Sequence, residues 1–140
     1  MKDNITDPVI LSIVEFTKIC LEKKEMPCFY ANWEEISKFF FNQTNNFPHL
    51  FDNMRFDTNG HYPKSDRLEE NFSELTACKL LYTIAPQEKV YLASKNLDDG
   101  KKEKNKKIIR IAQEFYNLFK CSQEGKLGEH TSFNLLENLL

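Results

Sequence analysis

Several features that mark common protein classes are missing from this 140-residue chain. Its four glycines are too few and too scattered to form a phosphate-binding loop, and no G-x-S-x-G motif occurs. No cysteine pair has C-x-x-C spacing, and no histidine pair has H-x-x-x-H spacing. The longest apolar runs, such as residues 8–14, are too short to cross a bilayer. We therefore predict a protein without a catalytic site, metal, cofactor, small-molecule substrate or membrane span.

A strong excess of one charge is also missing. Lysine and arginine number 19, aspartate and glutamate number 21, and the formal net charge is −2. Because no global field favours nucleic acid, any contact with phosphates requires a local basic patch. The four cysteines are scattered, and no secretory segment is recognisable at the N-terminus. Scattered thiols are typical of a reducing compartment, so we expect a cytoplasmic protein.

Phenylalanine, in contrast, is abundant, and helical spacing of apolar residues recurs along the chain. Asp7-Pro8 predicts one helix start, and Asn32 with Glu35 predicts a second through a capping box. A short third helix is expected from Phe47 to about Met54. The longest helix is expected from Lys101 to Ser122, with a broad apolar face.

Residues 57–94 form the segment around which the rest is organised. Ser65 predicts a helix cap, and Leu68, Phe72 and Leu75 follow on one helical face. The runs 80–84 and 89–93 have strand chemistry and enclose a turn at Pro86, so they predict a hairpin. We expect residues 54–56 to add an edge strand. The predicted class is mainly α with a small β hairpin, that is, α+β.

The pattern F-x-x-x-G-x-Y-P-x-S-x-x-L-x-x-x-F-x-x-L-x-x-x-x-L-L, from Phe56 to Leu81, resembles a segment of many small prokaryotic winged-helix proteins. It is similar also to the helix-and-wing portion of Panacea-type domains, which are associated with phages and toxin–antitoxin systems. The resemblance implies a recognition helix followed by a wing. We expect a single winged-helix-like domain over residues 1–122. Gly125 and Gly128 indicate a linker over 123–130, and the apolar spacing that follows predicts a C-terminal amphipathic helix over 131–140 that packs on the domain or on a partner.

Nucleic-acid binding is one candidate activity of such a domain. The strongest local charge is the cluster of six cations within residues 101–110, although lysines at a helix start oppose the helix dipole. The expected recognition helix is less suitable, because four carboxylates accompany its single arginine and would repel phosphates. The candidate contacts are Lys64, Arg67, Lys89, Lys101, Lys102, Lys104, Lys106, Lys107 and Arg110.

Protein binding is the other candidate activity. The same acidic helix offers a solvated face, and three successive phenylalanines at 39–41 rotate around a helix, so one of them needs cover from another segment or a partner. The last apolar segment is too short to be stable alone and must dock. The candidate interface residues are Glu69, Glu70, Glu74, Phe41, Ile109, Tyr116, Phe133, Leu136 and Leu140.

These observations favour a small non-enzymatic regulatory or adaptor module that acts through a protein partner or self-association. Nucleic-acid binding as a winged-helix regulator is compatible with the basic cluster. The alternative is a protein-binding inhibitor, encoded by a phage or mobile element, that has no DNA affinity. An enzyme is the least favoured class.

Overall fold

The element order is α-β-α-α-β-β-α in the computed structural model, which describes residues 7–85, 90–98 and 100–120. A single 3₁₀ turn, Lys95–Leu97, joins the last strand to the last helix region. The predicted class, mainly α with a small antiparallel sheet, is confirmed. The elements are α1 (Pro8–Glu22), β1 (Cys28–Tyr30), α2 (Trp33–Asn46), α3 (Asp66–Ala77), β2 (Leu81–Ala85), β3 (Val90–Ala93) and α4 (Lys106–Phe119).

The first three helices begin where their capping residues predicted. The Asp7 side chain accepts from the backbone N–H of Val9 at 3.3 Å at the start of α1. Asn32 and Glu35 form a reciprocal capping box at α2, with distances of 2.8 and 2.9 Å. The Ser65 hydroxyl accepts from the third residue of α3 at 3.2 Å. Short-range chemistry therefore sets these helix starts.

The three strands form an antiparallel sheet in the order β1-β3-β2. The expected third strand at residues 54–56 is wrong, because the segment Cys28–Tyr30 takes that place beside β3. The backbone of Asp57 pairs instead with Lys64, at 2.7 and 2.9 Å, and closes a loop outside the sheet. The backbone N–H and C=O groups of Asp57 are therefore used in a local turn and not in the sheet.

Two further expectations are corrected. Residues 47–54 form successive turns and not a helix. The Phe51 N–H bonds to the Phe47 carbonyl at 3.3 Å, but the segment is short and contains the weak helix formers His49, Asp52 and Asn53, so the turn is not propagated. Helix α4 begins at Lys106 and not at Lys101. Asn105 caps it by accepting from Lys107 N–H at 2.9 Å. Lysines 101, 102 and 104 therefore lie before the helix and not within it.

Phe115 lies at the centre of the core that α4 forms with α1, α2 and the sheet. Its ring centroid is 5.0 Å from that of Phe29 and 5.3 Å from those of Phe16 and Phe39. All four residues are buried. Edge-to-face contacts of this kind add stability beyond area burial. The last described helix therefore covers the aromatic face of α2.

Two helices end on a lysine with left-handed backbone geometry. φ is 58° at Lys24 after α1 and 60° at Lys79 after α3. The N–H of the following residue bonds back to Cys20 and Leu75, respectively, at 2.8 and 2.9 Å, as in a Schellman cap. A side chain in this conformation costs roughly 1 kcal/mol that glycine avoids.

The variant Lys79→Gly is therefore expected to raise the free energy of unfolding by about 0.5 kcal/mol, after allowance for the lost cation near the helix end. Lys38→Gly is the matched control in the interior of α2, where glycine should cost about 1 kcal/mol. Urea unfolding of both variants checks the prediction. A destabilised Lys79→Gly protein would contradict it.

Candidate functional site

Helix α3 presents an acidic face to solvent. Leu68, Phe72 and Leu75 are buried on one side of the helix. Successive residues turn by about 100°, so the opposite side carries residues at positions 66, 70, 73, 74 and 77, all of which are exposed. We define the α3 face as Asp66, Glu70, Ser73, Glu74 and Ala77.

The single arginine of α3 is bound within the protein. The guanidinium of Arg67 donates to the Asp7 carboxylate through Nη2 at 2.9 Å and Nε at 3.0 Å. Its Nη1 lies 3.7 Å from the Glu70 carboxylate. Because Asp7 is 11% exposed and Arg67 is 51% exposed, one partner of this pair is largely removed from water. The charge of Arg67 is therefore neutralised within the protein. An arginine that binds phosphate must instead be available to the ligand.

Asn71 completes the same network. Its side-chain Nδ2 donates to the Asp7 carboxylate at 3.0 Å, and the residue is buried. Asp7 thus caps α1 and joins the start of α1 to α3 through two side chains. These bonds give Arg67 and Asn71 a structural role.

A groove of about 600 Å³ opens beside the α3 face, between α3, the start of α2 and the sheet. It opens along a cross-strand row in which Tyr91 pairs with Phe29 on one side and Thr83 on the other. Phe29 is buried, Tyr91 is half-buried and Thr83 is exposed, so the cover over this row of side chains decreases towards β2. The lining residues are Trp33, Glu69, Phe72, Ser73, Thr76, Ala77, Thr83 and Tyr91.

Aromatic contacts hold the walls of this groove in place. The Trp33 ring meets the Phe72 ring edge to face at 5.2 Å, and Phe72 lies 6.5 Å from Tyr91. Tyr91 stacks on Phe29 at 4.9 Å. Burial raises the pKa of the Tyr91 hydroxyl above its usual range. The groove is an aromatic surface with one carboxylate, Glu69.

The basic cluster divides into two parts. Lys101 and Lys102 line a second groove, of about 530 Å³, together with acidic residues of α1 and of the loop before α4. The Nζ atom of Lys18 donates to the Lys101 carbonyl. The acidic residues in this groove are Glu15, Glu22, Asp98 and Glu103. Charge is mixed there, which reduces the attraction for phosphates.

The second part of the cluster is more open. Lys104, Lys106, Lys107 and Arg110 are exposed. Lys106 and Arg110 lie one turn apart, so they follow each other along the outer side of α4. Of the other predicted contacts, Lys64 is exposed beside its backbone pairing with Asp57, and Lys89 lies outside the described residues.

The acidic and basic surfaces are separated along α1. Arg67 contacts Asp7 at one end of this helix, whereas the loop before α4 contacts Lys18. Eleven residues at 1.5 Å each place these contacts about 16 Å apart. The structure therefore does not bring Lys101 and Arg67 into one basic site.

The predicted interface residues lie in different surroundings in the structure. Phe41 packs edge to face on Phe56 at 5.3 Å, so another segment of the chain covers it. Ile109 is 41% exposed and lines the second groove. Leu118, which belongs to the expected apolar face of α4 but was not among the predicted interface residues, is 65% exposed. Glu69 lies in the first groove, Glu70 and Glu74 lie on the α3 face, and Phe133, Leu136 and Leu140 lie outside the described residues.

Tyr116 is used inside the protein. Its hydroxyl donates to the Glu25 carboxylate, and its ring lies 6.2 Å from Phe16. The ammonium of Lys23 lies 4.4 Å above the same ring. The hydrogen bond to Glu25, aided by burial, raises the pKa of Tyr116 to about 12. This residue ties the end of α1 to α4.

The raised pKa predicts a pH dependence. A phenol with a raised pKa adds stability that is complete below its ordinary value near 10 and is lost as the pH rises through about 12. Tyr116→Phe should unfold more easily than the wild type by about 1 kcal/mol at pH 9. The difference should shrink between pH 10 and 12. Urea unfolding of both proteins at pH 10 and at pH 12 checks this prediction. A difference in unfolding free energy that does not change with pH would contradict it.

The described ranges were searched for metal-ligand clusters and for membrane-spanning helices. Residues 7–85, 90–98 and 100–120 contain no group of three or more histidine, cysteine, aspartate or glutamate side chains placed so that they could hold a metal ion. No helix within these ranges has the length and apolar character needed to cross a membrane. Comparison of the chain with protein-family models, curated proteins and solved structures gave no match.

Proposed function

We propose that this protein is a small non-enzymatic, winged-helix-like module that binds a protein partner through the α3 face. The α3 face comprises Asp66, Glu70, Ser73, Glu74 and Ala77, and the groove beside it extends the available surface. The module acts in the cytoplasm as a regulator or adaptor. If the gene belongs to a phage or mobile element, the module inhibits the protein that it binds.

The arrangement of elements supports the winged-helix comparison. α3 is followed directly by the β2–β3 hairpin, and a third strand completes a small antiparallel sheet. A winged-helix domain also places its recognition helix immediately before the wing. In this architecture α3 is the helix that meets the partner, and the hairpin lies beside it.

The observation that carries the proposal is the pairing of Arg67 with Asp7 and Glu70. The helix at the recognition position has no other cation, and its exposed side carries carboxylates. Close approach to DNA would set these carboxylates against phosphates without a compensating contact. A protein surface with basic groups meets the same face favourably.

Charge reversal on the α3 face tests this proposal. We expect the double variant Glu70→Lys/Glu74→Lys to lose at least about tenfold in affinity for the partner recovered from the native host, because two attractive contacts become repulsive. Glu22→Lys/Asp98→Lys, two exposed positions in the second groove, is the control with the same change in net charge away from α3. Titration of the purified complex measures both variants. Equal affinity of the first variant and wild type would contradict the proposal.

Contact of the α4 start with phosphates is the second candidate function. It is favoured by the exposure of Lys104, Lys106, Lys107 and Arg110 on one short segment. A phosphate-binding patch predicts affinity for random-sequence duplex DNA that falls steeply from low to moderate salt. Charge reversal of the three lysines should abolish this binding, and unchanged binding would remove the segment from consideration.

A further inference from the structure

We infer that the groove beside α3 receives a lysine or arginine side chain of the partner, together with the apolar residue next to it. This inference rests on the proposed function and specifies the chemistry of the partner. The described residues that line the groove provide three aromatic side chains, one carboxylate and four hydroxyl groups, and none of them is a cation.

Charge complementarity selects a cation. The Glu69 carboxylate is half-buried in the groove, and Glu70 and Asp66 lie close along the helix. Arg67 does not neutralise Glu69, because two positions along the helix place these residues about 160° apart around its axis. Arg67 moreover points to Asp7. A partner without a cation would cover Glu69 and leave its charge unpaired, which is costly.

The walls select a long basic side chain over a small cation. Lysine and arginine have apolar stems, which pack on rings while the charged end reaches a polar group. The rings of Trp33 and Phe72 supply such a wall, and aromatic faces also attract cations. The groove volume of about 600 Å³ lies within the range of ligand sites and exceeds the needs of one side chain. We therefore include the neighbouring apolar residue in the recognised segment.

The chain contains one tryptophan, Trp33, which lines the groove and reports its occupancy by fluorescence. The probes are two mixtures of eight-residue peptides with randomised flanks, one with lysine fixed at the centre and one with glutamate. We expect the lysine mixture to shift Trp33 emission to saturation and the glutamate mixture to leave it unchanged. Amide chemical shifts recorded on the same samples locate any peptide that binds elsewhere.

Two variants make the test specific. Glu69→Gln should weaken binding of the lysine mixture about tenfold, since it removes a charge-assisted contact. Glu22→Gln carries the same change in charge on α1, in the second groove and outside the α3 face, and it should change affinity less than about twofold. Both side chains are accessible to solvent, and urea unfolding verifies that the variants remain folded.

Three results would overturn the inference. They are equal binding of the two mixtures, binding that shifts amides only outside the groove, and equal weakening by the two variants. These results do not test the proposed function. That function is contradicted if Glu70→Lys/Glu74→Lys binds the partner with the same affinity as the wild type. If that variant loses its partner while Glu69→Gln does not, the partner uses the α3 face without the groove.

Discussion

The variant Phe115→Ala is expected to lower the free energy of unfolding by about 3–5 kcal/mol, the largest effect of any single change considered. The ring is fully buried and contacts the rings of Phe16, Phe29, Phe39 and Phe119, with centroid distances of 4.9 to 5.3 Å. Its removal leaves a cavity between α1, α2, α4 and the sheet. Such a loss is a large part of the total stability of a small domain.

Leu118→Ala is the matched control on the same helix. Leu118 is 65% exposed, so its truncation should cost less than about 0.5 kcal/mol. Urea unfolding of both variants, followed by circular dichroism, measures the contrast. Similar losses in the two variants would mean that α4 does not dock on the core as described.

Asp7→Ala has the second largest expected effect, about 2–3 kcal/mol of unfolding free energy. The substitution removes the cap of α1, which alone is worth about 1 kcal/mol. It also deprives the buried Asn71 amide and the Arg67 guanidinium of their acceptor. The effect is therefore larger than the loss of a surface ion pair, which is worth about 0–1 kcal/mol.

Asp7→Asn separates the contributions to this effect. Asparagine caps a helix as well as aspartate does, and its side-chain oxygen still accepts hydrogen bonds, but the charge opposite Arg67 is lost. We expect an intermediate cost of about 1 kcal/mol. If both variants unfold like the wild type, the network that links α1 to α3 does not stabilise the fold. Asp7 would then not hold the Arg67 side chain away from a binding partner.

The parts of the fold that depend on neighbouring residues could be predicted from sequence. The cap at Ser65 and the capping box of Asn32 and Glu35 involve residues three positions apart, and both were found at the predicted places. The hairpin followed from the strand-forming runs on either side of Pro86. The fold class was therefore accessible from local patterns alone.

The third strand could not be predicted in this way. The segment Cys28–Tyr30 has three residues, which is too short for alternation to be recognised. It becomes a strand because β3 pairs with it, more than sixty positions later in the chain. Residues 47–54 failed for a different reason: their apolar spacing is helical, and a first turn forms with the Phe51 N–H bonded to the Phe47 carbonyl at 3.3 Å, but the turn is not propagated.

The candidate site was predicted only in part. Helical spacing predicts the acidic side of α3. It does not predict that Arg67 binds Asp7, because Asp7 lies 60 residues away in the sequence. The groove likewise depends on Trp33, Phe72 and Tyr91, which come from three separate elements. Nothing in the spacing of these three aromatic residues along the chain shows that they meet.

Site-specific photo-crosslinking from position 73 tests the central claim most directly. Ser73 lies in the middle of the α3 face and is exposed. A photoreactive amino acid at this position, expressed in the native host, should yield an adduct that protease degrades and nuclease does not. The same amino acid at position 110, on the basic side of α4, serves as the comparison. An adduct with nucleic acid from position 73 would contradict the claim that the α3 face meets a protein.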